Sequence, residues 1–289
     1  MFYNYTIIIP HFTKDGNLSL LYRALESIPR RDDIQIIVVD NSVIPIQLNA
    51  NNLNKNVTLL YSDNKRGAGG ARNLGIQNAL GVWLLFLDAD DYFVKDAFVV
   101  MDRYLYSKND IVFFKPTSQI NNLGTLSDRH LAYSNMIDDY FVSGCSTNLR
   151  LNHCIPWSKM IKNELVREND IYFDEVPASN DVIFSLMIGL HASKVIADSN
   201  VIYCVTVSDG SITKTETLRN LESRFKVAIK KNDILRSRGY KADVSIIFYV
   251  VKSMKYGFDI FIKFFFKAIA SGYILVGWKR WGQTFRMLK

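Results

Sequence analysis

Three carboxylates fall within four residues directly after an apolar run. Asp88, Asp90 and Asp91 close the stretch GAGGARNLGIQNALGVWLLFLDADD, residues 67–91. Like charges at this spacing repel unless a cation lies between them, and hard carboxylate oxygens suit Mg²⁺ or Mn²⁺. In extended backbone, residues two apart point the same way, so Asp88 and Asp90 share one site while Ala89 faces away. An acidic turn leading into the next helix explains the same residues without a metal. The glycines that open the stretch are a second candidate. A dinucleotide fingerprint starting at Gly67 requires glycine where Arg72 stands, and Ala71-Arg72-Asn73 is not the Gly-Lys-Ser/Thr end of a Walker loop. There remains a loop leading into a helix with Arg72 in its first turn. Helix-start amides and a guanidinium suit an anion such as a diphosphate, and a plain loop with a surface arginine is the alternative.

The elements that must position these groups alternate. YTIII (5–9), IQIIVVD (34–40), VTLLY (57–61), VWLLFL (82–87) and DIVFF (110–114) read as buried strands. Between them, LSLLYRALESI (18–28), residues 71–80 stopped by Gly81, and DAFVVMDRYLY (96–106) read as helices. Near-continuous apolar strands alternating with helices predict an α/β fold with a mostly parallel sheet covered on both faces. Residues 115–180 are less regular. A helix is expected over 180–192, a strand near 195–205, and helix almost to the end beyond 216.

With 289 residues, 48% hydrophobic and 22% charged, the chain can bury a sizeable core. Its formal charge of +7 comes entirely from residues 244–289, which hold eight Lys/Arg and one acid. A local basic excess points to an anionic surface. Cys145, Cys154 and Cys204 show no metal spacing, which favours a reduced, cytoplasmic setting. His11, His130, His153 and His191 have no zinc-type spacing and are read as structural. We find neither a signal-peptide pattern nor an apolar run of spanning length.

The order TIIIPHF, IIVVDNS and GGARNLGIQNALGVWLLFLDADD resembles the family-two inverting glycosyltransferases of the GT-A fold. PWSKMIKNEL (156–165), FDE (173–175), ASNDVIFSL (178–186) and VIYCVTVSDGSIT (201–213) follow in the same order, so the resemblance covers roughly residues 3–215. It implies a GT-A, Rossmann-like domain over 1–215, with nucleotide-sugar binding in 1–95 and the acceptor side and base in 96–215. A C-terminal helical extension then occupies 216–289.

By the same resemblance, Pro10 and Phe12 pass along the nucleotide base, with Phe where the family often has Tyr. Asp40-Asn41 stands where the family usually has two aspartates, and the Asn41 carbonyl can still accept a uracil N–H. Arg72, Asp88 and Ala89 belong to the nucleotide-sugar site. Asp90, with Asp88, is implied to hold Mn²⁺ or Mg²⁺ at the diphosphate, and Asp91 to support the turn. Asp181 is implied to be the general base; its neighbour Asn180 is neutral where the family has an acid. Ser179 could cap the helix that carries it, although helix starts favour Asp everywhere. Trp157 and Lys159 match an acceptor-side element, and a core position for Trp157 is the bland reading. Thr206 replaces the arginine of a Tyr-x-Tyr-Arg strand, leaving one phosphate or acceptor contact without a residue.

The implied activity is metal-dependent, inverting transfer from a nucleotide sugar, UDP-linked by expectation, to a hydroxyl of a glycan or lipid-linked acceptor in bacterial surface-polysaccharide assembly. Lys252, Lys255, Asp259, Lys263 and Lys267 form a polar stripe beside a broad apolar face, and Trp278-Lys279-Arg280-Trp281 suits headgroup level. We expect peripheral association with the inner face of the cell membrane; packing on the enzyme's own core or in a homodimer is the alternative. Lipid fits the apolar face better than nucleic acid does. Competing readings are a sugar-phosphate nucleotidyltransferase, which would need a glycine-rich loop where PHFTK stands, and a silent membrane-associated nucleotide- or glycan-binding protein.

Overall fold

In a computed structural model the apolar runs form strands of one sheet, most of them in its interior and 57–61 at its edge. The structure describes residues 2–49, 56–120, 124–207 and 217–276. Its strands are β1 (Tyr5–His11), β2 (Ile34–Asp40), β3 (Val57–Tyr61), β4 (Trp83–Phe86), β5 (Tyr92–Phe93), β6 (Ile111–Ile120), β7 (Lys159–Lys162) and β8 (Val195–Val207). The helices are α1 (Ser19–Glu26), α2 (Gly67–Gln77), α3 (Ala97–Asp102), α4 (Leu131–Ser143), α5 (Thr147–Asn152), α6 (Asn163–Glu168), α7 (Asn180–His191), α8 (Leu218–Ser237), α9 (Ile247–Ser253) and α10 (Phe258–Ser271). Strand order is β3-β2-β1-β4-β7-β6-β8-β5. The first four strands of that order are parallel, β7 runs against both its neighbours, β8 is parallel to β6, and β5 is antiparallel to β8.

Period-two alternation sends each central strand into two cores. Tyr5, Ile7 and Ile9 join Ile36, Val38, Leu85 and the α1 and α3 residues Leu21 and Met101 on one face. Ile8 joins Leu84, Phe86, Phe113, Phe184 and Ile188 on the other. Helix α2 approaches β1 so closely that a Cβ on Gly75 would lie 2.4 Å from the Ile8 side chain. Glycine is therefore required there for packing, not for a loop.

Several expected boundaries shift. Helix α2 starts at Gly67, so Gly69 and Gly70 are helical and Arg72 lies in the second turn instead of the first. Helix α3 covers only Ala97–Asp102, and Asp96 precedes it at φ 63 without a side-chain cap. Strand β7, inside the irregular-looking region 115–180, has only four residues, too few for periodicity to register.

The chain divides into two compact units, Met1–Glu175 with Phe184–Ser211, and Val176–Ile183 with Ile212–Lys289. The second is built on Leu221, Phe225, Val250, Phe264 and Tyr273. Its expected polar-striped helix is broken at Gly257, whose φ of 114 separates α10 from the turn after α9. Trp278-Lys279-Arg280-Trp281 lies outside the described residues.

His153 is 2% exposed between the rings of Phe113 and Tyr133, with centroids 5.1 and 5.2 Å away. Neither ring nitrogen finds a hydrogen-bond partner among the described residues, and Lys159 Nζ donates to the His153 carbonyl at 3.0 Å. Burial, then the Lys159 charge, pushes its pKa well below 6.5. The unfolded chain takes up a proton near pH ~6.5 that the folded chain refuses, so this group lowers stability progressively as pH falls below that value. His153→Phe keeps the ring and removes the proton site. Thermal melts at about pH 7 and about pH 5.5 should show a smaller acid loss in the variant; equal losses would exonerate His153.

Candidate functional site

Strand β1 has β2 on one side and β4 on the other, because the chain steps outward to β3 and then returns across β1. Open α/β sheets place ligands at the carboxyl ends of strands flanking such a reversal. Pro10 and His11 end β1, and Phe12, just beyond it, is 49% exposed. The opposing residues His11 and Asp40 are in register, and the Asn41 N–H donates to the His11 carbonyl at 2.8 Å.

Asp40 is 2% exposed, and its oxygens face inward. They contact His11 Nδ1 at 3.0 Å and accept from Ser42 Oγ at 2.7 Å, the Ser42 amide at 3.2 Å and the Ile46 amide at 3.0 Å. Burial alone would raise this carboxyl, but the bonds from His11, Ser42 and Ile46 outweigh it and hold the pKa below the ordinary value. Asp40 thus clamps the loop after β2. Asn41, also buried, accepts from Ser62 Oγ at 3.3 Å.

The acidic stretch is a turn, not an extended segment: the Asp91 amide donates to the Asp88 carbonyl at 3.0 Å. Ala89 and Asp90 sit at its tip, and Ala89 packs against the adjacent core. Asp91 is 2% exposed and accepts from the Tyr203 hydroxyl at 2.8 Å and the Thr206 amide at 2.7 Å. The Tyr203 oxygen in turn accepts from the Asp88 amide at 3.1 Å. Both the Arg23 guanidinium and the Thr206 hydroxyl donate to the Asp90 carbonyl, and Arg23 also reaches Thr206 Oγ1 at 3.3 Å. Thr206 is thus a support for the turn, and Arg23 of α1 brings a guanidinium to its hydroxyl. Neither role was visible in the sequence, since α1 and β8 are separated by most of the domain.

Trp157 lies flat on Tyr203, 5.1 Å between centroids at 8°, and is 4% exposed. Lys159 is 1% exposed, with its ammonium on the His153 carbonyl. Both acceptor-side candidates are therefore buried, and Trp157 offers no open face to a sugar; its stacking holds Tyr203 beneath the acidic turn. Asp181 lies in the first turn of α7, half-buried. Ser179 precedes it with φ 62, not the extended backbone of a side-chain cap, and its carbonyl accepts from the Val182 amide at 3.4 Å.

Arg72 Nη2 is 2.6 Å from Asp88 Oδ1, and its guanidinium stands over the Phe173 ring at 5.3 Å. Its neighbour Asn73 bonds the Phe173 amide and carbonyl at 2.8 and 3.0 Å, tying α2 to the FDE segment. Arg66 adds two bonds to Glu175. Asp90 titrates above the ordinary carboxylate range because of burial, then the Asp88 charge. Asp91 is pushed well above it by burial and then by Asp90 and Asp88.

Asp88 and Asp90 offer the hard oxygens that Mg²⁺ or Mn²⁺ takes, whereas both Asp91 oxygens are engaged by Tyr203 and Thr206. Among the described residues no group of three or more His, Cys, Asp or Glu could hold a metal. The residues fit a small divalent cation that takes at most two carboxylates and completes its shell from a ligand.

Residues 6–169 match the family model described as "Glycosyl transferase family 2". The chain is 24% identical over 219 residues to the poly(ribitol-phosphate) beta-N-acetylglucosaminyltransferase TarS of Staphylococcus aureus, covering 71% of this chain and 36% of the relative. It is 25% identical over 253 residues to a poly(ribitol-phosphate) beta-glucosyltransferase of Bacillus spizizenii, covering 82% and 38%. The chain thus spans well under half the length of these curated relatives. A crystal structure of S. aureus TarS in complex with UDP-GlcNAc superposes with a TM-score of 0.60 at 19% identity, over 92% of this chain and 72% of the other, which shows a shared fold.

Without a bound cation the carboxylates oppose one another, so Asp90→Asn should raise the melting temperature of metal-free protein. Tyr203→Phe should lower stability by about 1–3 kcal/mol, because it strips a partner from buried Asp91 and from the Asp88 amide. Calorimetry of both variants checks this, and an Asp90→Asn protein that melts at or below wild type contradicts it.

Proposed function

The chain belongs to glycosyl transferase family 2, and on that premise we propose that it is a metal-dependent, inverting glycosyltransferase acting on a UDP-sugar. The observation that carries this reading is the braced acidic turn at the carboxyl end of β4, with Arg72 on Asp88. UDP as the donor is supported by the structural relative's complex with UDP-GlcNAc. A hydroxyl of a surface glycopolymer, free or lipid-linked, is the acceptor we infer from the poly(ribitol-phosphate) in both relatives' names. Those names also specify β-linkages, which one displacement gives from an α-linked donor.

In this reading Phe12 stacks on the base, the loop clamped by Asp40 brings Asn41 to the pyrimidine edge, and Arg72 binds diphosphate oxygens. Asp88 and Asp90 would hold a divalent cation, which when bound would supply positive charge against the leaving diphosphate. Asp181 takes the proton of the acceptor hydroxyl as its oxygen attacks the anomeric carbon. The bond from that carbon to the diphosphate breaks on the opposite face, and nucleoside diphosphate departs. Trp157 and Lys159 serve the acceptor side indirectly, as buried support.

The second unit suits an anionic membrane surface. Helix α10 exposes Phe258 (76%), Phe266 (63%) and Ile269 (47%), with Lys263 and Lys267 between them. Among the described residues no helix is long and apolar enough to cross a membrane. We infer a peripheral contact on the cytoplasmic side.

The deciding assay offers a panel of nucleotide sugars, Mn²⁺ and glycopolymer acceptors, and reads nucleotide release. Wild type should consume one donor. Asp181→Asn should lose about 10²–10⁴-fold in rate while still binding nucleotide, and Asp90→Ala should lose metal-dependent release. Near-normal transfer by Asp181→Asn would remove Asp181 from the role. Silence across the panel, with no metal-dependent nucleotide binding, would favour a silent binding protein. Separately, vesicles containing anionic lipid should sediment wild-type protein and release a Phe258→Ser/Phe266→Ser double variant. Equal sedimentation of the two would end the membrane reading.

A further inference from the structure

Asp88 already carries a positive partner. The Arg72 guanidinium is 2.6 Å from its Oδ1, with side-chain exposures of 8% for Arg72 and 30% for Asp88. This arginine is fixed in place: α2 is held by the Asn73 bonds to Phe173, and the guanidinium lies over that ring. The other two carboxylates do not make up the difference. Asp91 is buried beneath Tyr203 and Thr206, and no third ligating side chain joins Asp88 and Asp90 among the described residues. A divalent cation arriving alone would thus meet one carboxylate of its own and one shared with a fixed positive group.

A diphosphate changes this balance. Its oxygens can take the flat, forked guanidinium and the cation together, turning repulsion between two positive groups into attraction of both to one anion. We propose that Arg72 is an electrostatic interlock that makes metal uptake conditional on the nucleotide diphosphate. This rests on the metal-dependent reading above and deepens it. The ligand-free acidic turn stays paired with Arg72, and cation and nucleotide enter as a coupled pair. Linkage requires the coupling to be reciprocal: whatever factor UDP adds to Mn²⁺ affinity, Mn²⁺ adds to UDP affinity.

The test is titration calorimetry of the full chain with Mn²⁺ alone, UDP alone, and each in the presence of the other, corrected for Mn²⁺ binding by UDP itself. In wild type UDP should tighten Mn²⁺ binding by about tenfold or more. Arg72→Gln should bind Mn²⁺ alone more tightly than wild type, by about the same factor, and lose most of the coupling. Mere structural damage would weaken metal binding, so the gain distinguishes an interlock from a scaffold role. Arg72→Lys, which keeps the charge, should retain the coupling. If Arg72→Gln fails to fold, Arg72→Met, which keeps an unbranched stem and removes the charge, takes its place with the same expected gain. Equal Mn²⁺ affinity with and without UDP in wild type, or unchanged metal affinity in Arg72→Gln, overturns the interlock and leaves the transferase reading standing. No Mn²⁺ binding under any condition overturns both.

Discussion

Mutual repulsion among Asp88, Asp90 and Asp91 is the constraint around which the first unit is organised. Three carboxyl groups in one turn, with burial and one another raising the pKa of two of them, would open the chain if nothing held it. Tyr203 bridges the Asp88 amide and the Asp91 carboxylate. Thr206 holds Asp91 by its amide and Asp90 by its hydroxyl. Arg23 and Arg72 then bring cationic charge from α1 and α2. Elements from distant parts of the chain converge on four residues, and their convergence turns an unfavourable cluster into an organised one.

The sheet makes this possible. Eight strands in one layer bring β8, late in sequence, next to the far edge, where β5, immediately after the acidic turn, pairs with it as the edge strand. That pairing places Tyr203 opposite Phe93 and Cys204 opposite Tyr92, so the residues just beyond the turn are in register with those that brace it. Trp157, stacked on Tyr203, carries the same support into the core. Helix α2 can bring Arg72 to Asp88 because Gly75 lets it lie close against β1. Packing density and electrostatics therefore meet in the glycine-rich segment: Gly75 serves helix–sheet contact, while Arg72 serves the acidic turn.

Much was legible in the sequence because its signal is local. The strands β1, β2 and β3 follow from apolar, β-branched runs, and the α/β class follows from their alternation with helices. Asp88, Asp90 and Arg72 stood out by type and spacing, and the ordered motifs from TIIIPHF to VIYCVTVSDGSIT led to the family that the chain proves to match. Phe12, just beyond the end of β1, is exposed.

Other features depended on partners distant in sequence. Nothing in LSLLYRALESI tells that Arg23 reaches the carbonyl of Asp90, because their bond exists only once β8 and α1 meet at the turn. The inward set of Asp40, the burial of Trp157 and Lys159, the helical start at Gly67 and the break at Gly257 were likewise decided by tertiary packing. Local propensity sets where strands and helices form and which residue types stand at their ends. Which of those residues face a ligand and which become the brace beneath it is settled by contacts between segments far apart in the chain, and these have no periodicity to read.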